Sequence, residues 1–196
     1  MHKRHSAIVI PTAESLARAA LDYLGRFAAS EEGLRRVLRN RLRRVALRDD
    51  TFAADDVKQK SLQQEIENII VRFKKSGALN DGAFAEMKAG NLRRAGRSRR
   101  YIQQKLAQSG VRQGAVAEAL ETVDADQSSD EVQDNAELQA AMTLARRRRL
   151  GKYRATKPDA EQGRKDLGTL ARAGFSLDVA RRALGASTED EDWQER

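Results

Sequence analysis

The strongest constraint on this chain is that it repeats itself. Asn91 to Val111 reads NLRRAGRSRRYIQQKLAQSGV. Displaced by 68 positions towards the N-terminus, Ser98 falls on Ser30, Ile102 on Leu34 and Leu106 on Leu38, while Phe84, Ala85, Leu92 and Arg94 fall on Leu16, Ala17, Leu24 and Arg26. A displacement by 64 the other way sets Leu106, Ala107, Gly110, Ala119 and Leu120 on Leu170, Ala171, Gly174, Ala183 and Leu184, with Val111 facing Phe175. A unit recurring at such a period buries its apolar stripe only against its neighbours, so the chain reads as one helical unit used three times.

The central copy shows how the unit works. Gly96 ends one helical pattern, Ser98 is placed to cap the next, Ile102 and Leu106 share a face one turn apart, and Gly110 is a stop. Around the start of that short helix stand Arg93, Arg94, Arg97, Arg99 and Arg100. A helix N-terminus prefers anions, so five guanidinium groups there are unfavourable unless something negative meets them.

Composition narrows the fold class. Hydrophobic residues make up 40% but aromatics only 5%, with 34% charged, so the core consists of Leu, Ala, Ile and Val on helix stripes and the expected class is all-α. The net charge is +8 from 37 basic and 29 acidic residues, so the local arrangement of charge matters more than its sum. Without cysteine there is no disulfide frame or thiolate chemistry, which fits a reducing compartment. No apolar run approaches the ~20 residues that cross a bilayer, and Ala7 to Ile10 is too short for a signal-peptide core. The expectation is a soluble cytoplasmic protein.

Taken in order, 1–11 reads as a flexible start in which Ile8, Val9 and Ile10 dock before Pro11 and the cap Thr12. The first repeat is 12–79. It holds an inward stripe of Leu16, Ala20, Tyr23, Leu24 and Phe27, then Leu34, Val37, Leu38 and Leu42 opposite Arg35, Arg36, Arg39 and Arg43, then Ile66, Ile69, Ile70 and Phe73. Between them Asp49, Asp50, Asp55 and Asp56 surround Phe52 in an acidic connector that could shield the preceding arginines. The second repeat is 80–123, with Phe84, Met87 and Leu92 inward, then Ile102 and Leu106, then Val116, Ala119, Leu120 and Val123. Residues 124–134 read as an acidic linker, 135–186 as the third repeat, and 187–196 as an acidic, disordered tail carrying Trp193.

Catalysis finds no support in the residues. Both histidines lie in the first five positions, no phosphate loop or His-Glu-x-x-His spacing occurs, and the carboxylates sit in connectors and the tail. No metal or cofactor is expected. What remains is cationic. Arg97, Arg99 and Arg100, with Arg94 and Lys105, point to contact with phosphate or an acidic protein surface. Arg146, Arg147, Arg148 and Arg149, followed by Lys152, stand at a helix C-terminus before Gly151, where they either complement the exposed carbonyls or contact a partner. Arg35, Arg36 and Arg39 fit a solvated helix face or a third contact patch. With no zinc ligands and no zipper heptads, nucleic-acid contact would be to the backbone and tolerant of sequence.

With these residues laid out, the chain resembles the RecX family of regulators of the RecA recombinase. The resemblance runs from about Leu16 to Leu184, through AALDYLGRFAASEEGLRRVLRNRL at Ala19 to Leu42, RFKKSGALNDGAFAE at Arg72 to Glu86, RSRRYIQQKLAQSGV at Arg97 to Val111 and LARAGFSLDVARRAL at Leu170 to Leu184. Where the family commonly has an aromatic residue and an acid this chain has Ala78 and Asn80. The resemblance implies an elongated, curved all-α array of three tandem three-helix repeats, with helices near Thr12 to Ala29, Ser30 to Arg44, Leu62 to Ser76, Asp81 to Ala95, Ser98 to Ser109 and Gln113 to Thr122, and three after Asn135. It also implies a monomeric, non-enzymatic negative regulator. Such a protein binds the RecA filament on single-stranded DNA and inhibits its ATPase, strand-exchange and coprotease activities. The alternative from the residues alone is a nonspecific basic helical module for DNA or RNA with no recombinase partner.

Overall fold

A computed structural model of the chain describes residues 9–125, 132–156 and 158–185. These residues hold no strand. They form α1 (Ala13–Leu24), α2 (Glu31–Ala46), α3 (Asp50–Ala54), α4 (Asp56–Lys75), α5 (Asp81–Arg94), α6 (Arg99–Gln108), α7 (Gln113–Ala125), α8 (Val132–Arg148), a 3₁₀ turn (Gly151–Tyr153), α9 (Ala160–Arg172) and α10 (Leu177–Leu184). The all-α expectation holds. His2, His5, Ile8, most of the acidic linker and the tail with Trp193 lie outside the described residues.

The chain divides into two compact units. The first takes the described residues as far as Phe84 together with Ser109–Val111, and the second takes Ala85–Gln108 and the described residues from Arg112 onward. In the first, Leu16 and Ala20 of α1, Leu34, Leu38 and Leu42 of α2 and Leu62, Ile66, Ile69, Ile70 and Phe73 of α4 close one core. Burying a Leu or Ile side chain contributes about 1.5–3 kcal/mol, which makes these stripes the main source of order in short helices. In the second, Ala140, Ala141, Leu144 and Ala145 of α8 pack with Leu170 of α9 and Val179, Ala180, Ala183 and Leu184 of α10.

Several expectations need correction. The acidic connector folds: Phe52 is 1% exposed, Asp49 caps α3, and the Asp55 carboxylate accepts the Lys58 N–H at the start of α4. These two acids are therefore used on backbone amides, not on arginines, and α4 begins at Asp56, well before Leu62. Phe27 is 54% exposed, because α1 ends at Leu24 and its ring rests on Tyr23 beyond the helix. Val9 is exposed while Ile10 rests on the core. On α5 the buried face is Ala85, Ala89, Gly90 and Arg93, and Met87 is exposed.

The caps do more than end helices. Ser30 Oγ accepts the Gly33 N–H at 3.0 Å and donates to the carbonyl of Ser109, while Asp81 Oδ1 accepts the Glu31 N–H at 2.8 Å. One repeat later the same pair of bonds recurs. Ser98 Oγ accepts the Tyr101 N–H at 3.2 Å and donates to Ala173 O at 2.6 Å, while the Glu137 carboxylate accepts the Arg99 N–H at 3.1 Å. The middle helix of a repeat is thus capped by its own serine and by an acid from the first helix of the next. The same serine satisfies a carbonyl at the end of the next middle helix. Gly174, at φ +93°, makes that close approach possible, since a Cβ there would stand 2.6 Å from Ser98 Oγ.

Candidate nucleic-acid and partner interface

The anion that the central cluster requires is supplied from inside the protein. Arg93, 3% exposed, donates from Nε to Asp124 Oδ1 at 2.8 Å and from Nη2 to Asp124 Oδ2 at 2.9 Å, a two-point fork on a carboxylate 1% exposed. Its Nη1 donates to Glu137 Oε2 at 2.5 Å and to Arg97 O at 3.2 Å. Arg99 joins through Nη1 to Asp124 Oδ2 at 3.1 Å. Burial opposes the charge of Arg93, but the hydrogen bonds and charges of Asp124 and Glu137 outweigh it and hold the guanidinium above its ordinary pKa. Arg93 and Arg99 are therefore structural cations, and Asp124 belongs to a folded helix.

The first unit treats its arginines in the same way. Glu67 on α4 accepts from Arg35 Nε and Arg39 Nη2, both at 3.0 Å, and Glu32 accepts from Arg35 Nη1 at 2.6 Å. The face of α2 that reads as solvated and basic is thus partly neutralised across the α2–α4 contact. Arg36 is exposed on that helix.

The second unit also carries cations that stand outside these internal pairs. Arg97 lays its guanidinium 4.8 Å from the Tyr101 ring centre, and Lys105 approaches the same ring at 5.6 Å while donating to Gln108. Arg94 is exposed and bonded to Asn91, and Arg100 is exposed with no ion pair among the described residues. Arg146, Arg147, Arg148 and Arg149 are all exposed, as is Lys152. Arg146 and Lys152 flank the Tyr153 ring at 5.4 and 5.5 Å.

Two clusters separate in sequence meet here. Arg147 Nη1 donates to Ala95 O at 3.0 Å, two residues before Arg97. Gly96, at φ +73°, lets α8 approach so closely that a Cβ there would lie 2.8 Å from Leu144 N and 2.9 Å from Ala140 O. The end of α8, with its arginine run, therefore rises beside the turn that carries Arg97 and leads into Arg100 of α6. Such a surface offers guanidinium forks whose geometry matches phosphate or carboxylate oxygens, and the tyrosines hold two of the arginines in place. Among the described residues no group of His, Cys, Asp and Glu could hold a metal ion, and no helix is long and apolar enough to cross a membrane.

Residues 80–120 match the family model described as RecX, second three-helix domain. Over 173 residues the chain is 38% identical to the regulatory protein RecX of Myxococcus xanthus, covering 88% of this chain and 85% of that one. It is 33% identical over 113 residues to the regulatory protein RecX of Agrobacterium fabrum, 58% of this chain and 55% of the other. The crystal structure of RecX from Lactobacillus salivarius superposes with a TM-score of 0.61 at 17% identity, covering 88% of this chain and 94% of that one. A second RecX crystal structure gives 0.60 at 18%, covering 89% and 72%. At such identity these two structures speak to the fold alone.

Proposed function

Because this chain belongs to the RecX family, we propose that it is a negative regulator that binds the RecA filament on single-stranded DNA and inhibits its ATPase, strand-exchange and coprotease activities. The observation that carries the reading is the division of the arginines. Arg35, Arg39, Arg93 and Arg99 are consumed by Glu32, Glu67, Asp124 and Glu137, whereas Arg97, Arg100 and the Arg146 to Arg149 run stand in no such pair and lie on one unit. A solvated helix end needs one or two cations to complement its carbonyls, and this surface holds several more.

The chemistry of binding is electrostatic and sequence-tolerant. Each guanidinium that meets a phosphate releases condensed counterions, so engagement of about six phosphates on a single strand gives a salt slope of about 4 on logarithmic axes. Arginine pairs equally well with carboxylates, so the same surface can bridge DNA and an acidic recombinase face.

The test compares this protein on bare and on RecA-coated single strands, together with RecA ATPase at substoichiometric protein. Tighter binding to the coated strand with a lowered ATPase rate is expected. Indifference to the coat, with an unchanged ATPase rate, would replace this reading with that of a nonspecific nucleic-acid-binding module.

A further inference from the structure

Among the described residues the left-handed backbone region is occupied by six glycines and one other residue, Arg149 at φ +54°. Gly77, Gly96, Gly110, Gly174 and Gly185 follow the ends of α4, α5, α6, α9 and α10. At the end of α8 the same role falls to an arginine. Leu150 N donates to Ala145 O at 2.9 Å and Arg149 N to Arg146 O at 3.1 Å, the bond pattern of a helix stop in which glycine is the residue without strain. A side chain with a Cβ is disfavoured there, and such strain persists only where the surroundings enforce it.

The surroundings do enforce it. Leu150 is 7% exposed in the core of the second unit, and Gly151 N donates at 2.8 Å to Asp166 Oδ2. Asp166 is itself 1% exposed and clamped by Arg154 at 2.7 and 2.9 Å and by Gln162 at 3.0 Å. The backbone on the C-terminal side of Arg149 is thus fixed, while its side chain is exposed and makes no ion pair among the described residues. Arg146, Arg147 and Arg148 already stand as cations in the last turn, so helix-end electrostatics do not require a fourth.

We propose that Arg149 is a dedicated ligand-contact residue, whose Cα–Cβ bond is set outward by a strained backbone so that its guanidinium reaches and forks onto the phosphodiester backbone of a single strand. Fixing the backbone in the free protein removes that part of the ordering when the strand arrives, and leaves the side-chain torsions to order on contact. This rests on the reading that the surface binds the strand, and it singles out one of the four arginines.

The experiment measures thermal unfolding and binding to a poly-dT oligonucleotide across a salt series for the wild type, Arg149→Gly, Arg149→Lys and Arg148→Ala. Arg149→Gly should raise Tm by about 2–4 °C while weakening binding about tenfold and lowering the salt slope by about 0.7. Arg149→Lys keeps the charge but loses the fork, and should bind weakly with the slope nearly retained. Arg148→Ala should cost no more than about threefold, because it is one charge among several. An Arg149→Gly protein that is more stable yet binds as well as the wild type, or no worse than Arg148→Ala, overturns the proposal and leaves the surface reading intact. Absence of binding by the wild type overturns the surface reading itself.

Discussion

Replacing Asp124 with Asn is the perturbation the structure makes most severe. The change preserves shape but removes the charge that Arg93 meets at 2.8 and 2.9 Å and Arg99 at 3.1 Å, leaving a guanidinium 3% exposed with Glu137 as its one remaining acid. Breaking a buried pair from one side costs about 3–5 kcal/mol, because the partner charge stays desolvated. For a chain of this size each kcal/mol moves Tm by about 2–4 °C, so Asp124→Asn should lower it by about 6–20 °C. The urea transition followed by circular dichroism gives the free energy directly. The double variant Arg93→Met, Asp124→Leu should recover part of the loss, since it removes the fully buried fork and leaves only the less buried Arg99 and Glu137 without their former partners. A loss below about 1 kcal/mol for Asp124→Asn is what exposed pairs give, and it would refute the claim that this cluster is a buried anchor.

Three further outcomes follow from the same geometry. Ser98→Ala removes both a cap and the donor to Ala173 O, and should cost about 1–2 kcal/mol. Ser176→Ala, which removes a bond to Val179 N alone, should cost less, and equal costs would argue against the repeat-to-repeat bond. Burial works against ionised Asp166, but Arg154, Gly151 N–H and Gln162 together hold its folded pKa below the ordinary 3.8. The stability this contributes is full above the unfolded value and is lost as pH falls through the folded one. The Tm gap between wild type and Asp166→Asn should therefore be flat above about pH 5 and narrow below about pH 4; a gap independent of pH down to 2 would contradict it. Arg35→Ala should leave oligonucleotide affinity unchanged while reducing stability, and Arg100→Ala should do the reverse, measured by fluorescence anisotropy and thermal melts; exchanged effects would invert the division of the arginines.

Much of the architecture was legible because its signals are local. Ser30, Ser98 and Ser176 cap the helices they precede, and Gly96, Gly110 and Gly174 sit at positive φ where the pattern stops. Partners across the fold were not legible. Asp124 and Glu137 lie 31 and 44 residues from Arg93, beyond any helical spacing. A signal existed nonetheless: Arg93 continues the stripe of Ala85 and Ala89 at steps of four, and Asp124 continues that of Val116 and Leu120. A charge on an apolar stripe marks a buried pair, whereas reading the arginines by proximity placed Arg93 with its exposed neighbours. On α5 the larger Met87 outranked alanines that pack because they are small. At α8 the visible Gly151 drew attention as the stop, while the residue in the stop conformation is Arg149.

On the proposed reading, Arg97, Arg100 and the Arg146 to Arg149 run, which no internal acid pairs among the described residues, engage a RecA filament. The most direct measurement is RecA ATPase on single-stranded DNA, titrated with the wild type, with an Arg97→Ala, Arg100→Ala, Arg148→Ala triple variant, and with an Arg35→Ala, Arg39→Ala variant. Inhibition by the first and third but not by the second is the predicted result. Equal inhibition by all three, or none by the wild type, would contradict it.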